Sequence, residues 1–470
     1  MFMGKRKKVN ISAIEVLDFA AEGKCMTKVD GQVVFLNGTE VAPGDVVDIE
    51  VVFSKKKFAE GRVLRVVSKS AIRQEPFCAH FGVCGGCKWQ HIPYTLQKDQ
   101  KTRQVHDQLV RIGHLPITEI QPIVGSEKTT FYRNKLEFTF SASRWLTPEE
   151  VNSETEYNQN VLGFHVPRRF DKVFPIEHCH LQPDPSNAIR LFLRDYAHAS
   201  EWPFYDHVAH EGFFRNVMIR TTTTQQVMVV IQFARPIQDQ IDSTCQALLD
   251  AFPNITSLNY FVNSKRNDSY QDLEPICFHG KPYIEEVMEG LTFRIGVKSF
   301  YQTNPEQAFE LYKITRDLAE IKSTDLVYDL YTGTGTIANF VAKQARQVIG
   351  VEYVPEAIED AKINSEINQI TNTLFFAGDM KKVLDTEFIE RHGRPDVLIT
   401  DPPRAGMDKE VIEVIRQAQP HRIVYVSCNA ATQARDLALL INEYHIDTVQ
   451  PVDMFPHTHH VENVVRLTRK

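Results

Sequence analysis

"LVYDLYTGTGTIANFVA", residues 326–342, decides how the C-terminal part of this chain folds. Leu326 to Leu330 form a short apolar run that reads as a buried strand. The glycines of T-G-T-G then break the pattern, and a helix follows. The next unit, "QVIGVEYVPEAIEDAKIN" (347–364), repeats this arrangement. Its strand ends in Glu352, and Val354, Ile358 and Ala361 fall on one helical face. "TLFFAGD" (373–379), "DVLITDPPRAG" (396–406) and "RIVYVSCNAATQARD" (422–436) continue the series. Regular strand, loop and helix units from Leu291 onward predict a doubly wound parallel sheet. Such a sheet binds ligands outside the carboxyl ends of its strands, which sets Glu352, Asp379, Asp401 and Cys428 along one edge.

Gly333, Gly335 and Ala338 satisfy a G-x-G-x-x-A turn, which fits a dinucleotide. Glu352 at the second strand tip suits ribose hydroxyls, because a carboxylate accepts both of their hydrogen bonds. That feature serves NAD and S-adenosylmethionine alike. Pro402 and Pro403 lack amide hydrogens and hold an open loop beyond their strand. A lone cysteine after an apolar strand is ordinarily a small core residue. At a ligand edge Cys428 becomes a candidate nucleophile, and a thiol with an ordinary pKa of about 8.5 then needs a nearby donor or positive charge. The Asn429 amide is one candidate donor, and a cofactor sulfonium is another.

Working outward, 470 residues exceed what one core usually serves, so several domains are expected. No apolar run reaches the roughly 18 to 20 residues that span a bilayer, and "MFMGKRKKVN" has no apolar signal core; a cytoplasmic protein is expected, away from membranes. Net charge is −7, but residues 1–70 carry 12 Lys/Arg against 9 Asp/Glu, so the first module is the basic one. Short β-rich runs separated by glycine turns between Val9 and Val67 predict a small barrel of about five strands. Lys5, Arg6, Lys7, Lys8 and Lys55, Lys56, Lys57 are either its solvated face or a phosphate-contacting surface.

"EPFCAHFGVCGGCKWQH" (75–91) is a cysteine- and glycine-rich knot. Cys78, Cys84 and Cys87 lack a fourth partner nearby, and on spacing alone zinc fits better than an iron-sulfur cluster. Gly82, Gly85 and Gly86 would let the backbone wrap closely. His80 and His178 read as surface or outer groups, and Cys25, Cys245 and Cys277 as packing residues. Leu96 to Ile112 is predicted helical, and residues 131–285 mix strands with a few helices. In "FYRNKLEF" and "FFRNVMIR", Arg133, Lys135, Arg215 and Arg220 could hold phosphates, and Phe138, Phe140, Phe213 and Phe214 are either base-stacking surfaces or strand core.

"DLYTGTGTI", "DPPRAG", "YVSCNAATQARDL", "HHVENVVRL", "SFYQTN" and "YRNKLEF" together resemble the S-adenosylmethionine-dependent RNA uracil-C5 methyltransferases. "CAHFGVCGGC" is similar to the branch that carries an iron-sulfur cluster, and the N-terminal segment to a TRAM domain. The resemblance implies a multi-domain chain: an OB-like β-barrel (TRAM) over 1–68, a central α/β region with an iron-sulfur cluster over 69–290, and a Rossmann-like α/β methyltransferase domain over 291–470. It further implies that the helix at 96–112 packs on the last of these. Cys428 would be the nucleophile and Glu462 the general base. Gln302, Tyr331, Thr336, Glu352, Asp379 and Asp401 would surround S-adenosylmethionine, and Cys78, Cys84, Cys87 and Cys179 would hold a [4Fe-4S] cluster. The implied partner is RNA, not DNA, and 23S rRNA ahead of tRNA; a monomer is expected. Ala430 stands where the family usually has proline and Thr332 where cysteine is frequent, which leaves the shape of those two loops open. An NAD-dependent oxidoreductase would leave Cys428 and the diproline loop without a role. A non-catalytic RNA-binding protein would not need the pairing of Cys428 with Glu462.

Overall fold

The computed structural model describes residues 9–38 and 40–470. Lys5, Arg6, Lys7 and Lys8 therefore lie outside the described residues. The first module has six strands, one more than the sequence pattern predicts, in the order Val9–Glu15, Val46–Ser54, Phe58–Ser68, Gln32–Asn37, Cys25–Val29, Asp18–Phe19. Alternating residues turn Val34, Leu36, Val47 and Ile49 into one shared core. Lys55, Lys56 and Lys57 stay exposed at the turn between two of these strands.

Residues 69–93 contain no regular strand or helix. They lead into a helix, Tyr94–Asp107, prolonged by a π-helical turn at Gln108–Ile112. Val105, Leu109 and Leu115 from this segment share a core with Leu326, Tyr328, Ile423 and Leu437, far away in sequence. Lys101 on the same helix is fully buried and ion-paired with Asp453 at 2.6 Å.

The central region is built on a seven-stranded sheet in the order Ile276–Gly280, Ser257–Val262, Val227–Phe233, Phe214–Thr221, Lys135–Ser141, Val161–His165, Val173–Pro175. The helices Ser186–Ala199 and Gln238–Ala251 contribute Ile189, Leu193, Ile241 and Leu248 to its core. Phe138, Phe140, Phe213 and Phe214 are buried in that core, which settles them as packing residues. A hairpin, Tyr283–Met288 with Leu291–Gly296, spans residues 290 and 291 and shares its core with both the central sheet and the C-terminal one.

The last sheet runs Thr373–Ala377, Gln347–Glu352, Leu326–Leu330, Val397–Thr400, Arg422–Ser427, Glu462–Arg469, Tyr444–Val452. Its first five strands are parallel, as the repeated units require, while the final two are antiparallel. The chain turns back after Tyr444–Val452 and inserts Glu462–Arg469 between that strand and Arg422–Ser427. The inserted strand therefore begins at the very edge where the parallel strands end, and Asn463 pairs with Ser427. Among the described residues, no helix is long and apolar enough to cross a membrane.

Candidate active site

The turn after Leu326–Leu330 is made by backbone with positive φ. Tyr331 (62°), Gly333 (55°) and Gly335 (73°) all adopt it, a region only glycine enters without cost. A Cβ on Gly335 would lie 2.8 Å from that of Ala361, whereas one on Gly333 would meet nothing within 4 Å. The first glycine opens onto space and the second permits close helix packing. Glu352 spans this opening: Oε2 accepts the Gly333 amide and Oε1 the Val354 amide, both at 3.1 Å. Asp379 caps a short helix through the Lys381 amide at 3.2 Å. Thr336, buried, begins the helix after the glycine turn, with its hydroxyl 3.3 Å from that of Thr334. Gln302 is buried in the segment before helix Pro305–Ala319, where its carbonyl accepts from Asn134 Nδ2 at 3.1 Å. Asn134 N donates to Thr303 O at 2.8 Å, so "YRNKLEF" and "SFYQTN" are locked together.

Beyond Arg422–Ser427, Asn429 caps helix Ala430–Leu437 by accepting from Ala431 N at 3.2 Å. Cys428 is thus fixed between a strand end and a helix start. The Asn429 amide donates to Arg404 O at 3.0 Å, so it is committed to the backbone and does not serve the thiol as its place in the sequence suggests. The nearby donor is Arg404 itself, the residue after the diproline. Burial, Glu462 and Asp401 push the Cys428 thiol up to about 11, against the pull of Arg404.

Three acids share this low-dielectric edge. Burial raises Glu462 to about 8, with Asp401 adding to the effect and Arg404 opposing it. Burial and the neighbouring Asp329 raise Asp401 to about 7. Burial likewise raises Asp329 to about 7 while Thr332 donates to it, and its Oδ1 is buried without a hydrogen-bond partner. Sequence pattern does not single out Asp329 or Arg404, although both stand inside the motifs quoted above. The Tyr312 phenol, also buried, faces Asp401, Glu462 and Asp329. Carboxyl groups crowded in this way favour a cationic ligand, because a positive charge would satisfy the unpartnered oxygen and relieve the mutual repulsion.

Cys78, Cys84, Cys87 and Cys179 line one pocket together with His80, His178 and His180. Burial first, and then the other sulfurs, push Cys84 up to about 12; burial pushes Cys87 up to about 11. No three of the four sulfurs lie within 4.8 Å of one another. Asn187 holds Cys179 by its backbone on both sides, at 2.8 and 3.1 Å. Cys277, expected to pack, is exposed on an edge strand, whereas Cys25 and Cys245 are buried.

A second cavity of about 420 Å³, open to solvent, is lined by Lys88, Arg133, Arg404, His459 and His460. Gly85 and Gly86 of the knot share its lining with Arg404, the residue that acts on Cys428 and Glu462. The Arg133 guanidinium lies 5.0 Å from the Phe455 ring. Arg215 and Arg220 are not available to RNA: Arg215 is buried against Asp268 and the carbonyls of Asn263, Lys265 and Asn267, and Arg220 against Gly296 and Ser299. Lys135 is half-buried and lowered to about 8 by burial and Arg220.

The profile of the tRNA (Uracil-5-)-methyltransferase family matches residues 205–470, and that of the TRAM domain matches residues 5–64. A protein of Bacteroides thetaiotaomicron named as an RNA methyltransferase is 56% identical over 453 residues, covering 95% of this chain and 99% of that relative. One from Chlorobaculum tepidum, similarly named, is 36% identical over 471 residues, covering 98% and 97%. The crystal structure of Pyrococcus abyssi tRNA (uracil-54, C5)-methyltransferase in complex with S-adenosyl-L-homocysteine superposes with a TM-score of 0.75 at 27% identity, covering 97% of this chain and all of that one.

Proposed function

The chain belongs to the tRNA (uracil-5-)-methyltransferase family and carries an N-terminal TRAM domain, and on that premise we propose that it methylates C5 of a uridine in RNA. The methyl donor is S-adenosylmethionine. What carries the reading is the meeting of Cys428, Glu462, Asp401 and Arg404 at one sheet edge.

C5 of uracil is too weak a nucleophile to take a methyl group unaided. Cys428 Sγ gives its proton to solvent water, and the thiolate, held beside the Arg404 cation, forms a bond to C6 and converts the ring to an enolate. C5 then attacks the donor methyl carbon, whose bond to sulfur breaks and leaves S-adenosylhomocysteine. Glu462 removes the proton still on C5, the Sγ–C6 bond breaks, and the thiolate is recovered. Glu462 must be ionised to do this. Because burial and Asp401 raise it to about 8, a cation next to Asp401 assists it. Asp329 and Asp401 offer that cation its counter-charges, Glu352 and Asp379 flank the ribose and adenine side, and Gln302, Tyr331 and Thr336 close the pocket. The base itself must leave any paired or stacked structure to reach Cys428. Arg133, Arg404 and Lys88 line the cavity by which it would enter.

The division into residues 1–68, 69–290 and 291–470 is proposed as one of RNA grip, cluster module and methyl transfer. Cys78, Cys84, Cys87 and Cys179 are proposed to hold a [4Fe-4S] cluster; their shared pocket and the likeness of "CAHFGVCGGC" to the cluster-bearing branch support this. Such a cluster can carry electrons, but the methyl transfer consumes none, so its role here is to shape the protein.

The RNA is proposed to be 23S rRNA, on the likeness of the motif set to that branch. The whole-chain similarity to the Pyrococcus abyssi tRNA (uracil-54, C5)-methyltransferase favours tRNA as a second reading. Incubation with unmodified 23S rRNA and tRNA transcripts, followed by mapping of 5-methyluridine, separates the two. Transcript carrying 5-fluorouridine is expected to cross-link to Cys428, and Cys428→Ala to lose both adduct and turnover. Glu462→Gln is expected to accumulate methylated adduct. Full turnover without any adduct would overturn the mechanism.

A further inference from the structure

Away from this edge, the central region gathers a second set of chemistry-bearing side chains. His165 ends strand Val161–His165, His207 sits in the turn before strand Phe214–Thr221, and Asp268 lies in the loop after strand Ser257–Val262. One ligand atom from each lies within 4.8 Å of the other two, the only such trio of histidine, cysteine or acidic groups among the described residues. The two imidazoles meet edge to face, with centroids 5.0 Å apart.

Neither the core nor the rest of the trio explains them. His207 is 8% exposed, and both of its ring nitrogens are buried without a hydrogen-bond partner; His165 Nδ1 is in the same condition. Buried polar groups are nearly always bonded, and an orphaned pair of imidazoles next to a carboxylate calls for a ligand that accepts several lone pairs at once. Arg215 completes the arrangement. Both of its bonds to Asp268 end on Oδ1, at 2.8 and 3.1 Å, which orients the carboxylate and leaves the other oxygen for a ligand. Outer partners of this kind are what hold ligand side chains in place at metal centres.

We propose that His165, His207 and Asp268 bind a divalent transition metal, with zinc as the ion that two imidazoles and one carboxylate suit best. Asp268 and the intermediate exposure of His165 leave a further position open to solvent. The site ties together three segments that no β-ladder joins directly, so it acts as a clasp on the central module. It is separate from the four cysteines, which lie on another pocket.

The test uses the full-length protein, its metal content measured against protein together with iron and sulfide. Wild type, stripped with chelator and returned to zinc, is expected to take up one equivalent per chain that His207→Ala, His165→Gln and Asp268→Asn each lack, with iron and sulfide unchanged among all four. Cobalt in place of zinc should give visible d–d bands without thiolate charge transfer, and these should vanish in the variants. Asp268→Asn alters an exposed residue, so it keeps the test decisive if a histidine variant does not fold. Equal zinc content in wild type and Asp268→Asn, or cobalt bands that carry only thiolate character, would overturn the proposal.

Discussion

Binding of the methyl donor should depend on pH in a way that binding of its product does not. Asp401 and Asp329 are both held near 7 by burial, with Asp329 adding to the rise of Asp401, so they behave as a coupled pair that is largely protonated at pH 6. S-adenosylmethionine carries a sulfonium and S-adenosylhomocysteine a neutral sulfur. A cation that requires one more carboxylate drives off one proton, and below a pKa of about 7 its affinity falls about tenfold per pH unit, or about 1.4 kcal/mol. Titration calorimetry between pH 6 and pH 8.5, in buffers of different ionisation enthalpy, would read both the affinity and the proton released. The expected result is about tenfold weaker binding of S-adenosylmethionine at pH 6 than at pH 8, a much flatter profile for S-adenosylhomocysteine, and loss of the slope in Asp401→Asn. The same groups act on stability in the opposite direction. Their folded pKa values are raised, so the protein loses stability as pH climbs from the unfolded carboxyl value of about 4 through 7 to 8. Donor-induced thermal stabilisation should therefore be larger at pH 8.5 than at pH 6. Parallel pH profiles for the two ligands would refute the placement of the sulfonium beside Asp401.

Lys101→Met should destabilise the protein by about 3–5 kcal/mol in chemical denaturation, because it strands the buried Asp453 carboxylate; Lys101→Met with Asp453→Leu should recover part of that stability. Cys84→Ser should give a colourless protein where wild type is brown, with iron and sulfide absent by assay, and should slow methylation in the presence of saturating S-adenosylmethionine. Removal of residues 1–68 should weaken RNA binding and reduce its dependence on salt in filter-binding assays, in proportion to the number of phosphates this module neutralises. Unchanged affinity and salt slope would take this module off the RNA surface.

The placement of the proposed reacting edge is legible because it follows from local periodicity. Strand, turn and helix units place Glu352, Asp379, Asp401 and Cys428 at strand tips whatever the rest of the chain does. Asp329 was legible in principle, as an acid one residue short of a strand end before a glycine turn, but nothing in a strand's sequence tells a buried acid from a capping one. Arg215 and Arg220 mislead for the opposite reason. Charges in "FFRNVMIR" look solvent-facing, and only the return of the 263–270 loop and the approach of Gly296 and Ser299 give them internal partners. The Lys101–Asp453 pair joins residues more than 350 positions apart, a separation at which sequence pattern carries no signal. The antiparallel finish of the sheet had no helical crossover to announce it, yet it is this reversal that brings Glu462 to Cys428.

That reversal also explains how a cysteine knot can matter to a reaction that moves no electrons. Residues 453–461, the segment leading into Glu462, are anchored from several directions. Lys88 N and Trp89 N, immediately after Cys87, donate to His457 O at 2.9 and 3.0 Å. Gln97 both accepts from His457 N at 2.8 Å and reaches its ring at 3.2 Å. Tyr132 OH donates to Pro456 O at 3.0 Å, and Asn304 Nδ2 to Met454 O at 3.0 Å. Each anchor comes from a motif that stands apart from the others in the sequence: the knot, the helix after it, "YRNKLEF" and "SFYQTN". A general base must lie within hydrogen-bond reach of the proton it takes, so a shift of about 1 Å in this segment costs rate although every reacting group is still present. Unfolding of residues 78–87 would release Lys88 and Trp89 first and the path to Glu462 next. On the proposed mechanism the knot would act on catalysis by holding Glu462 in position, while Cys428 on its own strand stays where it was.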